Sequence, residues 1–181
     1  MRSINFIPLV LLVTVHFANA QATAFSLHTS SDQEGQFVQE KHLTVLTQPF
    51  VTKGNYHYQK NIGLIWHTQQ PVESKIKITT EGVSERQADG HFKSLTSSSQ
   101  FSELLLALFS GEQQSLQQQF YIEQQDNRLT LTPKSAQIAG VILKISLLIK
   151  DNGIQQIVLY EPEGNYTNIF LNQLKSPSGQ D

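Results

Sequence analysis

The stretch Gly54–Pro71, GNYHYQKNIGLIWHTQQP, decides how the chain is read. Apolar residues alternate through Tyr56 and Tyr58, then through Ile62, Leu64 and Trp66, with the turn formers Asn61 and Gly63 between the runs. A period of two interrupted by turn residues is a β-hairpin signature, with alternate side chains on one face of a sheet. The segment holds the only tryptophan and two of the five tyrosines. Tyr56, Tyr58, Leu64 and Trp66 all carry even numbers, so a turn that preserves parity gathers them on one aromatic face. An ordinary core hairpin and the wall of an apolar cavity both satisfy this pattern.

On the N-terminal side, Phe37–Phe50, FVQEKHLTVLTQPF, fits strand or helix by period alone. The β-branched Val45, with Thr44, Thr47 and Pro49, favours a strand. Gln21–Gln36 is polar and weakly patterned, with a faint helical signal from Ala22 to Leu27. On the C-terminal side, Pro71 ends the hairpin. Ser74–Thr80 then alternates Ile76 and Ile78 against Lys75, Lys77 and Thr79, up to a turn at Glu81-Gly82. Glu85–Ser99 is polar and Ser-rich, a loop or an exposed short strand.

The period then changes. Phe101, Leu104, Leu105, Leu108 and Phe109 fall at helical spacing, with Ser98 or Ser99 as cap and Gly111 as stop. Glu112–Gln119 adds a further turn or two with Leu116 inward. From Phe120 the period of two returns. Phe120–Gln124 and Arg128–Thr132 form a hairpin around Asp126 and Asn127, closed by Pro133. Val141–Lys150 reads as a long strand ended by the strong turn Asp151-Asn152-Gly153. Ile154–Glu161 pairs back, and Pro162–Asn165 turns into Tyr166–Leu171. The sum is seven or more antiparallel strands in meander order with one apolar helix inserted. Such a sheet curls, and its concave side needs a cover. The 101–109 helix is the expected cover.

Composition narrows the function. A chain of 181 residues fits one domain, or one domain plus a targeting segment. Charged residues are only 15%, and the net charge is -2 without a basic run, so no nucleic-acid footprint is present. The absence of cysteine excludes disulfides, cysteine zinc sites and a cysteine nucleophile. Arg2, the apolar Ile4–Phe17 and Ala18-Asn19-Ala20 predict a secretory signal over residues 1–20, cleaved after Ala20. The apolar run is short for a membrane span and contains Pro8. The mature domain, 21–181, is expected to be exported and soluble.

Catalytic patterns are missing. There is no Gly-x-Ser-x-Gly elbow and no phosphate-cradling glycine loop. His28, His42, His57, His67 and His91 show no metal-ligand spacing, and nothing sets Glu81 and Glu85 apart as acid and base. The sequence therefore predicts no enzyme, metal or cofactor.

Several ordered marks carry a resemblance. They are Phe37-x-Gln39-x-Lys41, the Gly54…Trp66…Pro71 hairpin, the Glu81-Gly82 turn and Leu129-Thr130-Leu131-Thr132-Pro133-Lys134. The turn Asp151-Asn152-Gly153-Ile154 and the strand Asn165–Phe170 complete them. In order and spacing, from Phe37 to about Leu174, the chain resembles the LolA-like outer-membrane lipoprotein carriers. The resemblance implies a curved, half-open antiparallel β-barrel whose apolar cavity is covered by helices. It also implies a periplasmic, monomeric carrier that holds acyl chains of a lipoprotein or lipid and moves them from the inner towards the outer membrane. Its donor would be an inner-membrane transporter, ABC-type or RND-type, with an outer-membrane acceptor as a further partner.

Trp66 falls on the family's hairpin tryptophan, an inner-wall or lid-contact position. Lys60-Asn61 stands where the carriers have Arg-Pro, which makes Lys60 the candidate lid latch, with one ammonium in place of a planar fork. The chain also ends soon after Leu174, where the carriers continue into a further apolar strand. Both departures resemble LolA-like proteins that accompany lipid or polyene-lipid export with RND-type transporters. The expected cavity and lid residues are Tyr56, Tyr58, Trp66, Leu104, Leu105, Leu108 and Phe109, with Phe120 and Ile145. Each remains equally compatible with plain core packing. A non-carrier accessory protein that docks an envelope partner is the second function class.

Overall fold

The computed structural model describes residues 32–95, 99–150 and 153–174, the side chains of 99–103 excepted. The signal segment, the faint 22–27 helix, the Ser98 or Ser99 cap, the Phe101 side chain and the Asp151-Asn152 turn lie outside the described residues.

The central hairpin forms as its alternation requires. β1 (Asp32–His42) is followed by β2 (Phe50–Gln59) and β3 (Gly63–Gln70), which join through Lys60-Asn61-Ile62. The single strand expected over Phe37–Phe50 is thereby corrected: β1 starts earlier and stops at His42, and residues 43–49 turn the chain, with Leu46 N donating to Leu43 O, before Phe50 opens β2. Asn61 and Gly63 both take positive φ, 68° and 116°, the conformation for which Asn and Gly are least penalised. The turn keeps parity: Tyr56 pairs with Trp66 and Tyr58 with Leu64, so all four side chains share a face. Phe37 of β1 joins them opposite Gly54, and the ring closes down where a Cβ would otherwise stand, 2.9 Å away.

β4 (Ser74–Thr79), β5 (Gly82–Arg86) and β6 (Phe92–Leu95) continue the meander outward. The polar 85–99 stretch thus supplies the end of one strand and a second short one. α1 (Ser99–Ser110) and α2 (Gln113–Gln119) follow, separated by Gly111 in the left-handed region at φ 69°. β7 (Phe120–Gln125) and β8 (Arg128–Pro133) form the expected hairpin.

The long strand expected from Val141 to Lys150 is corrected. β9 spans only Lys144–Lys150, because α3 (Ala136–Ala139) takes the residues before it. Ser135 caps α3 by accepting from the Ile138 amide at 3.3 Å, and the turn carries on until Ile142 N donates to Ile138 O. Ile138 and Ile142 are thereby buried, while Val141 and Leu143 face outward. β10 (Gly153–Tyr160), a 3-10 turn (Pro162–Gly164) and β11 (Tyr166–Gln173) complete the chain.

All eleven strands form one antiparallel sheet, in the order β6-β5-β4-β3-β2-β1-β11-β10-β9-β8-β7. The simple meander is therefore corrected in one respect. It is two meanders, β1–β6 and β7–β11, sealed by the pairing of β1 with β11. The edge strands β6 and β7 are left apart, and α1 and α2 bridge them in sequence. The sheet is not closed; its inner face carries the core. α1 packs on β3, β4 and β5, α2 on β7 and α3 on β8. Among the described residues, no helix is long and apolar enough to cross a membrane.

Candidate functional site

The inner face has two chemical halves. Across β1–β5 it presents Phe37, Tyr56, Tyr58, Leu64, Trp66, Ile78 and Val83, all buried. Across β8–β11 it presents Leu129, Leu131, Ile145, Leu147, Ile157, Leu159, Ile169 and Leu171, all buried and all aliphatic. Phe120 at the start of β7 is the aromatic exception.

The aromatic half is an ordered bed. Phe37 and Trp66 stack with ring centroids 3.9 Å apart, and Tyr56 lies 6.2 Å from Trp66. α1 lowers Phe109 onto this bed, 5.2 Å from Tyr56 and 6.2 Å from Tyr58, in tilted geometries favoured by ring quadrupoles. Leu104, Leu105 and Leu108 are buried beside it, Leu108 completely. Leu106 is half-buried and Ala107 buried. The helix is thus apolar on nearly all the sides described, as the run of leucines requires.

Two polar contacts cross from sheet to helix. Gln33 of β1 donates its side-chain amide to Phe109 O, at 2.7 Å and buried. The Tyr58 hydroxyl meets the Ser110 side chain at the helix end. Burial pushes the Tyr56 phenol up to about 12, and burial followed by the charge of Glu112 raises that of Tyr58. Both rings stay neutral at physiological pH. They act as apolar walls with a hydroxyl tip.

All nine residues expected in cavity or lid (Tyr56, Tyr58, Trp66, Leu104, Leu105, Leu108, Phe109, Phe120 and Ile145) lie in one continuous buried cluster. Their interior is filled by α1. A groove of about 940 Å³ opens at its rim, lined by Tyr58, Lys60 to Gly63, Thr79 to Glu81, Leu106, Ala107 and Ser110, with Glu112, Ser115 and Gln119 of the α2 side. Only Tyr58 and Lys60 of the expected residues reach it. Lys60 itself is exposed in the β2–β3 turn, and no hydrogen bond or ion pair holds it among the described residues.

Sequence reasoning missed Gln33, which lies in the weakly patterned 21–36 stretch and announces nothing by spacing. It also missed the role of Lys41. On the inner face at the opposite end of β1, its ammonium binds both carboxylate oxygens of Glu161, one at 2.6 Å, while Thr167 donates to that carboxylate at 3.0 Å. The pair sits where the apolar wall meets solvent.

The sequence matches the family described as outer membrane lipoprotein carrier protein LolA over residues 28–181, most of its length. The chain belongs to the LolA family. A comparison with curated proteins gives no match. Among solved structures, a DUF1329 family protein from Desulfovibrio piger is similar at 12% identity, covering 86% of this chain and 89% of that one, with a TM-score of 0.46. A domain named as an outer membrane lipoprotein-sorting protein, from Vibrio parahaemolyticus, is 8% identical over 83% of this chain and 87% of that one, at 0.42. The MucA/MucB complex of Pseudomonas aeruginosa is 11% identical over 81% of this chain and 53% of that one, also at 0.42. These structural likenesses are distant; membership rests on the sequence match. In this LolA-family chain, the open sheet and its buried helix therefore belong to a carrier-type scaffold.

Proposed function

We propose that the protein carries acyl chains, of a lipoprotein or another lipid, between the inner and outer membranes of the periplasm after cleavage of residues 1–20. The observation that carries this reading is α1, a helix of Leu104, Leu105, Leu108 and Phe109 buried on an aromatic wall. When empty, such a helix buries its apolar surface against the sheet. When loaded, acyl chains replace it. Each methylene removed from water is worth roughly 0.8 kcal/mol, so a sixteen-carbon chain offers about 10 kcal/mol before costs. Displacing α1 from the wall takes back part of that sum, which leaves the cargo releasable. Tyr56, Tyr58, Trp66 and the α1 residues would meet the acyl chain, with Phe120 and Ile145 deeper in the wall. Lys60, at the rim, would meet the polar part of the cargo or the lid. A transporter of ABC or RND type would load the protein, and an outer-membrane acceptor would unload it.

The filled interior favours a second reading, a docking module that binds no lipid. Native mass spectrometry of the mature protein from a bacterial periplasm, with organic extraction, separates the two. A stoichiometric acyl lipid or lipopeptide, lost in Trp66→Glu or Leu105→Glu, supports carriage and names the cargo class. A bare protein that also refuses added lipid leaves the docking module.

A further inference from the structure

A helix leaves its last carbonyls without partners inside the helix, and buried ones need partners elsewhere. In α1, Ala107 O accepts from the Glu112 amide at 3.2 Å and from Ser110 Oγ at 3.3 Å. Phe109 O is answered from the sheet instead, by the Gln33 amide across 76 residues of chain. Phe109 is almost fully buried at 2% exposure, and its ring is seated between Tyr56 and Tyr58. The hairpin cation Lys60 takes no part.

We infer that Gln33 is the positioning residue that fastens α1 closed, a neutral catch on β1 that must release before cargo displaces the helix. The inference rests on the carrier reading for its purpose, and on the Gln33–Phe109 bond for its mechanism. A neutral amide suits a reversible catch. On opening, water satisfies both the amide and the carbonyl, so the net cost of release is that of one ordinary hydrogen bond. An exposed cation would be screened by salt, and a buried one would resist closing again. Together the catch and the Phe109 seat fix one end of the helix, so release of this end frees Leu105 and Leu108 from the wall.

The test compares the mature wild type with Gln33→Met, which keeps length and volume but cannot donate. Hydrogen exchange is read at amides 104–110 and along the β1–β11 ladder, and association of a fluorescent sixteen-carbon fatty acid is timed through Trp66 emission. The expected result is exchange about tenfold faster at 104–110 with the ladder unchanged, and faster probe association. Wild-type exchange at 104–110 should stay the same from about 0.01 to 0.15 M salt. Gln33→Asn, one methylene too short to reach, should behave as Gln33→Met and substitutes if that variant fails to fold. Unchanged exchange at 104–110, or exchange that rises only in step with the ladder, overturns the catch. Faster helix exchange with no probe uptake by any form upholds the catch and overturns the carrier reading.

Discussion

The two halves of the inner wall are both buried, but by different chemistry. Across β8–β11 the wall is Leu and Ile apart from Thr167 at its rim, with Leu131, Ile145, Leu147 and Ile157 at 0% exposure. Branched aliphatic chains interlock in three dimensions, and deleting one leaves a hole that neighbours fill poorly. On the α1 side the wall mixes the rings of Phe37, Tyr56, Tyr58 and Trp66 with Leu64, Ile78 and Val83. Flat rings offer smooth faces, and their hydroxyl tips and the Gln33 amide find water as readily as a helix end. On the proposed carrier reading, the aliphatic half stays shut and the aromatic half parts from its helix and closes again.

The sharpest break of that comparison is a deletion in each half. Leu147→Ala should cost about 3–4 kcal/mol of global stability in urea titration, from lost transfer energy and a residual cavity. Phe109→Ala should cost less than that globally while accelerating exchange along α1, because the helix can leave without unfolding the sheet. Equal losses with uniform exchange would make the two halves one rigid core.

The next contrast is alkaline pH, which reaches the buried phenol of Tyr56 in the aromatic half. Burial holds the Tyr56 phenol at about 12 against an unfolded value near 10. The folded state thus keeps its proton longer. The stabilisation is full below pH 10 and is lost as pH rises towards 12, about 2–3 kcal/mol in all. Denaturant midpoints from pH 8 to 12 should fall accordingly. Tyr56→Phe should flatten that slope, and a slope identical to wild type would show that Tyr56 is hydrated.

Smaller still is the effect at the inner-wall rim. Lys41→Met leaves Glu161 with Thr167 but without its cation, and should cost about 1–2 kcal/mol near neutral pH. The smallest change is expected at Lys60, which is exposed in the turn. Lys60→Ala should shift stability by less than about 0.5 kcal/mol. A large change in helix exchange in that variant would restore Lys60 as the latch and displace Gln33.

Much of this was written locally. The even-numbered run of Tyr56, Tyr58, Leu64 and Trp66 announced one face, because strand side chains alternate and the turn kept parity. The leucines from Leu104 to Leu108 announced a helix with a buried stripe, because a period near 3.6 has no other cheap solution. Val141 to Leu143 misled, since an apolar run looks alike in a strand and in the turn after a short helix. The capping hydroxyl of Ser135 was the overlooked signal.

By itself, the sequence determined the central hairpin, the apolar helix and the alternation that sets most of each face, since these follow from neighbours a few residues apart. The tertiary structure alone decided that β1 lies beside β11, and with it that β6 and β7 are the free edges spanned by α1 and α2. It alone decided that Gln33, and not Lys60, meets α1. Ladder bonds are made by backbone groups common to every residue, and a glutamine carries no mark of a carbonyl 76 positions away. Such partners are fixed only when the whole sheet has curled.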